Sequence, residues 1–421
     1  MTTMEKDALP AGNATTGKDR RWRWITIAAF VVVFHILLAY GLPAGVFLLL
    51  ALGAGVFYAR LGAIGSVVVT LAVLAVTLFY SLALTLTGFE NAIYFRPDER
   101  LSTFDYQHHH RIFRPGVTLE MRMPHGDLQS MTPLKIAEPR DVIYHIDSYG
   151  FRNDADYHGQ HYLLVGDSFV AGTGNTQANI LSAQLHRDYA IDAYNLAHPG
   201  DVVDYATYVA GFKATHHPDA KVLLFIFEGN DFVESRVKPR SALAMFFKRY
   251  YNLFSTTNVY RVTQSMVARV RRESKIASSQ YLTIDELNGK KIAFLNGYVD
   301  VTRRASQPPI ESFDHAIQSM RGDIGHIFFI PTKYRVYQKH VNPAEALPNA
   351  AWDYLQRLCQ QNHLACTNLT QPLIEASDEL LAKGQLTWWR DDTHWNHNGI
   401  AVAARVVAAS LAAPTAPRPG K

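Results

Sequence analysis

Two hydrophobic patterns divide the chain. Between Trp24 and Phe89 apolar residues run almost without interruption, and Arg60 is the only formal charge. Turn formers and that arginine break the run into Trp24–Tyr40, Ala44–Tyr58 and Ala63–Thr87. A spanning helix needs roughly 20 apolar residues, so the pattern predicts three transmembrane helices over 24–89, the middle one short. From about residue 160 the pattern changes to short, continuous apolar runs separated by stretches of helical period. His161–Val165, Ala193–Leu196, Lys221–Phe227 and His326–Ile330 read as strands buried on both faces. Ala178–Tyr189, Val203–His216, Ala350–Gln361 and Ile400–Leu411 read as helices. Strand alternating with helix predicts an α/β domain over 160–413, a doubly wound parallel sheet with helices on both faces.

The segments between these regions carry weaker patterns. Residues 90–159 hold Pro97, Pro115, Pro124, Pro133 and Pro139 and little periodicity, so they read as a loop-rich lead-in. Residues 235–321 stand as an insertion between the third and fourth strands. Its aromatic stretch Leu243–Phe254, with Lys248 and Arg249, fits a lid, a surface resting on the bilayer or a packed helix, the last being the default. Residues 414–421, rich in proline, read as a disordered tail.

Charge sets the topology. Residues 1–23 carry five cations and three anions and form a basic tail before the first span, while Arg60 lies in the second short loop. Positive residues favour the cytoplasmic side, so three spans place everything after Phe89 outside the cytoplasm. The expectation is a multi-pass protein of the inner, cytoplasmic membrane with a periplasmic C-terminal domain. No A-x-A-like cleavage site follows a single short apolar run, which argues against a signal peptide. The 48% hydrophobic content excludes full disorder, and no heptad is sustained. Beyond the membrane the charge is near balance with no basic stripe, which speaks against nucleic acid as a partner. Cys359 and Cys366 can close a short disulfide loop in an oxidising compartment or remain buried thiols. His108, His109 and His110 read as surface residues, and His35 in the first span as incidental. No metal ligand set stands at the usual spacings, and no cofactor is expected.

The reactive residues fall at strand ends, where sheets of this class place their sites. Gly166-Asp167-Ser168-Phe169 follows the first strand, Asn195 to Gly200 the second, and Glu228-Gly229-Asn230-Asp231 the third. Arg390 to Asn396 precedes the last helix and contains Asp391, Asp392 and His394. Acyl transfer through serine requires a nucleophile, a base, a carboxylate that orients the base, and donors for the oxyanion. Ser168, His394 and either Asp392 or Asp391 fill the first three roles. The N–H groups of Ser168 and Gly200 and the amide of Asn230 fill the last, each such donor being worth roughly 3–4 kcal/mol of barrier. Any one fragment also reads as an ordinary turn or helix cap. Trp388, Trp389 and Trp395 beside the histidine suit either stacking on sugar rings or core packing.

These four blocks resemble the SGNH or GDSL hydrolase family over about 162–411, which implies its flavodoxin-like fold. Two departures stand out. Glu228 occupies the position where the third block usually has glycine, and the fourth block reads Asp392-Thr393-His394-Trp395. The usual family carboxylate, three residues before the histidine, is Asp391. The membrane-associated branch that acetylates bacterial exopolysaccharides such as alginate is similar at Asp392-Thr393-His394-Trp395, which favours Asp392. Ile330 to Tyr337 is more loosely similar to that branch. The resemblance implies O-acyl ester chemistry on an exported or cell-envelope polysaccharide, with esterase and O-acetyltransferase both open. A transferase would need a separate membrane protein to supply the acyl group. The alternative in another class is a catalytically inactive, carbohydrate-binding scaffold subunit.

Overall fold

The computed structural model describes residues 96–105, 110–216, 218–234 and 281–412, besides isolated positions nearer the N-terminus. Apart from those isolated positions, the basic tail and the three expected spans lie outside the described residues, as do residues 235–280 of the insertion and the tail 414–421. Among the described residues no helix is long and apolar enough to cross a membrane. The chain divides into two compact units, and the four long stretches belong to the one comprising 91–239 and 269–421.

The lead-in is more ordered than its prolines suggest. Helix α1 (Pro97–Leu101) is followed by two antiparallel pairs, β1 (Ser102–Asp105) with β2 (His110–Phe113) and β3 (Thr118–Met123) with β4 (Arg140–His145). In β4 the burial alternates along the strand, the period-2 signature of one covered face. His110 is buried on β2 with its ring edge-on to Tyr208, contrary to the surface placement expected for it; His108 and His109 lie outside the described residues.

The core is a five-stranded parallel sheet. It comprises β5 (Tyr162–Val165), β6 (Ala193–Asn195), β7 (Lys221–Phe227), β10 (Ile324–Ile330) and β11 (Cys366–Asn368) in the spatial order β11-β10-β7-β5-β6. Numbered within the sheet this is 2-1-3-4-5, the flavodoxin-like order. All four expected strands are present; β11 adds a fifth, too short and too polar to show in the hydrophobic pattern.

Every residue of β7 after Lys221 is buried, and successive side chains enter opposite cores. Leu223, Phe225 and Phe227 pack with α3 (Leu181–Tyr189), α9 (Thr370–Leu381) and α10 (His397–Ala412). Val222, Leu224 and Ile226 pack with α4 (Val202–His216), α6 (Glu311–Met320) and α8 (Ala350–Asn362). This two-sided burial is why the strands read as continuous rather than alternating runs.

The end of the expected insertion belongs to the fold. β8 (Leu282–Leu287) and β9 (Lys290–Leu295) form a hairpin, α5 (Asn296–Thr302) follows, and α6 packs in the core as the crossover helix into β10. Cys359 near the end of α8 is disulfide-bonded to Cys366 at the start of β11, with Cα atoms 6.4 Å apart.

Candidate active site

Ser168 is the first residue of a four-residue helix, α2 (Ser168–Ala171), at the carboxyl end of β5. Asp167 caps it by accepting the Phe169 N–H at 2.8 Å. Gly172 ends the helix at φ +81°, and a Cβ there would stand 2.4 Å from Ile180, so only glycine allows so abrupt a turn. As the first helical residue, Ser168 has no intrahelical acceptor for its N–H. β5 and β7 are neighbours at the point where the strand order reverses, so Ser168 and Asn230 emerge side by side at the switch point. Asp231 accepts the Phe227 N–H at 2.7 Å and the Tyr205 hydroxyl at 2.9 Å, which pins the turn presenting Asn230. Gly200 follows β6 at the same end of the sheet.

The loop before α10 brings His394 to the serine. His394 Nε2 lies 2.7 Å from Ser168 Oγ, and His394 Nδ1 lies 2.7 Å from Asp392 Oδ1. With Nδ1–H donating to the carboxylate, Nε2 is left to accept the serine hydroxyl. Trp395 donates its indole N–H to the Phe169 carbonyl at 3.0 Å, and Asn175 Nδ2 donates to the Trp395 carbonyl at 3.1 Å. The two loops are thereby tied together on either side of the Ser–His contact.

The two adjacent aspartates do different things. Asp392 faces His394, whereas Asp391 turns to the lead-in and accepts the N–H groups of Gly126 at 2.6 Å and Glu138 at 2.8 Å. A Cβ on Gly126 would come within 2.4 Å of the Asp391 carbonyl, so glycine is required for this approach. Arg140 reaches both carboxylates, Asp391 Oδ1 at 3.2 Å and Asp392 Oδ2 at 2.7 Å. All three side chains are buried.

Electrostatics follow from these contacts. Burial alone would push the Asp392 carboxyl up, but the hydrogen bond and charge of His394, with Arg140 and Arg96, outweigh it and hold Asp392 far below the carboxylate range. Burial opposes the charged form of His394, yet the hydrogen bond and charge of Asp392 prevail and raise its pKa. Asp127 is pushed up by burial and then by Asp392; it accepts from the N–H and hydroxyl of Thr393 at 2.9 and 2.7 Å. Asp127, Asp392 and His394 bring ligand-type atoms within 4.8 Å of one another. Asp392 and His394 are engaged with each other and Asp127 with Thr393, so the set is a hydrogen-bonded one. Burial also pushes Asp167 up to about 6.

Several residues of this shell escape a reading of motifs. Lys333, the first residue of α7 (Lys333–Val341), donates to the carbonyls of Ala293, Trp389, Arg390 and Asp392 at 2.8–3.1 Å, stapling β9 to the base loop. Burial lowers its pKa to about 8. Glu228, which replaces the usual glycine, is buried and accepts Arg335 Nε at 2.9 Å and the Thr332 N–H at 2.9 Å. The substitution therefore joins the end of β7 to the start of α7. Lys333 and Arg335 lie in the Ile330–Tyr337 stretch, which carried a signal; Asp127 and Arg140 lie in the lead-in, which carried none. Trp388 and Trp395 are fully buried, which removes them as sugar-stacking platforms. Trp389 is partly exposed, with the Arg140 guanidinium 4.4 Å from its ring.

Residues 310–420 match the family model of an SGNH hydrolase-like domain, acetyltransferase AlgX. The matched segment contains Asp391, Asp392 and His394, and Ser168 lies outside it. No curated protein matches the chain. The match supports a domain of hydrolase or acetyltransferase kind over the matched residues, and with the parallel α/β core it supports a resemblance to SGNH proteins of the alginate O-acetylation type.

Proposed function

We propose that this protein is a membrane-anchored serine esterase or O-acyltransferase acting on ester groups of an exported or cell-envelope polysaccharide. The observation that carries the reading is the continuous line Ser168 Oγ to His394 Nε2 to Asp392 Oδ1, two contacts of 2.7 Å. In this reading Ser168 Oγ attacks the acyl carbonyl while His394 Nε2 takes its proton. Asp392, kept ionised, stabilises the imidazolium and holds its tautomer. The oxyanion is received by the N–H groups of Ser168 and Gly200 and the amide of Asn230. His394 then protonates the leaving alkoxide, and the acyl group stays on Ser168. A second hydroxyl, from water or from a sugar, is deprotonated by the same histidine and takes the acyl group, regenerating Ser168.

The three apolar runs over 24–89 support an anchor in the inner membrane, and the positive residues before the first support a periplasmic site. A transferase would draw its acyl group from a separate membrane protein, because three spans with one charge offer no route for it. The test is to supply an acetyl donor with and without oligosaccharide acceptors and follow the acetyl group by mass spectrometry. Acetylated sugar identifies a transferase, and free acetate indifferent to acceptor identifies an esterase. Polysaccharide binding with neither product, in wild type as in Ser168→Ala, would instead mark an inactive scaffold subunit.

A further inference from the structure

We propose that Arg140 is a positioning residue that sets the Ser168–His394 distance by bridging the two loops that carry them. The inference rests on the acyl-transfer reading above. Arg140 begins β4 in the lead-in, outside the sheet, and its side chain is 6% exposed. Its Nε donates to the Gly174 carbonyl at 3.0 Å, in the turn that follows α2. NH2 donates to Asp392 Oδ2 at 2.7 Å, and NH1 to Asp391 Oδ1 at 3.2 Å and to the Glu138 carbonyl at 3.0 Å. One planar group therefore touches the nucleophile's loop, the base's loop and the segment that leads into its own strand.

The consequence concerns Asp392. A carboxylate held only by His394 could rotate and present either oxygen. With Oδ2 fixed by Arg140, Oδ1 faces His394 Nδ1, and the imidazole is aimed at Ser168. Trp389, at the start of the same loop, lies with its ring 4.4 Å from the guanidinium carbon and packs against it. Trp395 also ties the loops, by donating its indole N–H to the Phe169 carbonyl. A lysine offers donors from a single point and cannot span Gly174, Asp391 and Asp392 together.

The experiment measures kcat and KM for an activated acetyl ester with the full chain, comparing wild type, Arg140→Lys and Arg140→Ala. Misplacement by about 1 Å costs on the order of 100-fold, so both variants are expected to lose about that much kcat with KM within roughly twofold. Guanidinium ion added to Arg140→Ala should recover part of the lost kcat, a response that a general loss of stability would not give. Should Arg140→Ala fail to fold, Arg140→Lys, which keeps the charge, decides by its kcat alone. Wild-type kcat in a folded Arg140→Lys, or a loss in Arg140→Ala that guanidinium leaves untouched, overturns the inference. An inactive wild type that also fails to label at Ser168 overturns the acyl-transfer reading and this inference together; an active wild type with unaffected variants overturns this inference alone.

Discussion

The parallel sheet and the lead-in contribute to one site by different physics. The sheet supplies position through its topology: strands buried on both faces must end somewhere, and β5 and β7 end side by side with Ser168 and Asn230 at their tips. The lead-in supplies no residue to the Ser–His–Asp line. It contributes buried polar contacts, from Gly126, Asp127, Glu138 and Arg140, that wrap the loop bearing Asp391 to His394. The hydrophobic frame thus sets where the strand-end groups stand, whereas a polar collar from elsewhere in the chain holds their orientation and adds to the charge balance that Asp392 and His394 set between them.

Exchanging the roles of the two adjacent aspartates is the severest way to break this comparison. Asp392→Asn should cut kcat by about 10⁴-fold, because an amide favours the wrong imidazole tautomer. Asp391→Asn should leave kcat within roughly tenfold and lower the melting temperature, because it weakens the grip on Gly126, Glu138 and Arg140. Steady-state kinetics with thermal melts on both variants check the pair, and equal kinetic losses would contradict the division of roles.

Lys333→Met comes next in size. It leaves four carbonyls without their shared donor in a buried place, at a cost of about 3 kcal/mol of stability. Denaturant unfolding measures it, and an unchanged midpoint would mean that the β9-to-base-loop staple does not hold the site.

The smallest effect is on pH. His394 must be neutral to accept the serine proton, and Asp392 holds its pKa above the ordinary value. The acid limb of kcat/KM should therefore fall above about pH 6.5, and in Asp392→Asn what activity remains should show it at lower pH. The stability linked to His394 runs the other way: it is fully present below about pH 6.5 and lost as pH rises through the raised value.

The sequence makes the sheet legible because burial on both faces leaves an unmistakable mark, and all four expected strands and their helices stand where the pattern places them. Ser168, Gly200, Asn230 and His394 are legible for the related reason that they sit at the ends of those strands or beside the last helix. Arg140 and Asp127 are not, since buried ion pairs and hydrogen bonds to residues more than 250 positions away leave no local periodicity. β11 is hidden by its polar, half-buried residues, and α6 by its place at the edge of a segment that reads as an insertion. Asp391 and Asp392 are told apart in the sequence only by the resemblance at Asp392-Thr393-His394-Trp395, which favours Asp392, and it is Asp392 that faces the imidazole.

The central claim is that Ser168 is the acyl-accepting nucleophile. Its most direct measurement is to treat the full-length protein with an activated acetyl ester, quench, and map the modified peptide by mass spectrometry. An added acetyl group is expected on the peptide holding Ser168, absent in Ser168→Ala and strongly reduced in His394→Ala. An unmodified Ser168 in a protein that turns the ester over, or equal turnover in Ser168→Ala, would contradict it.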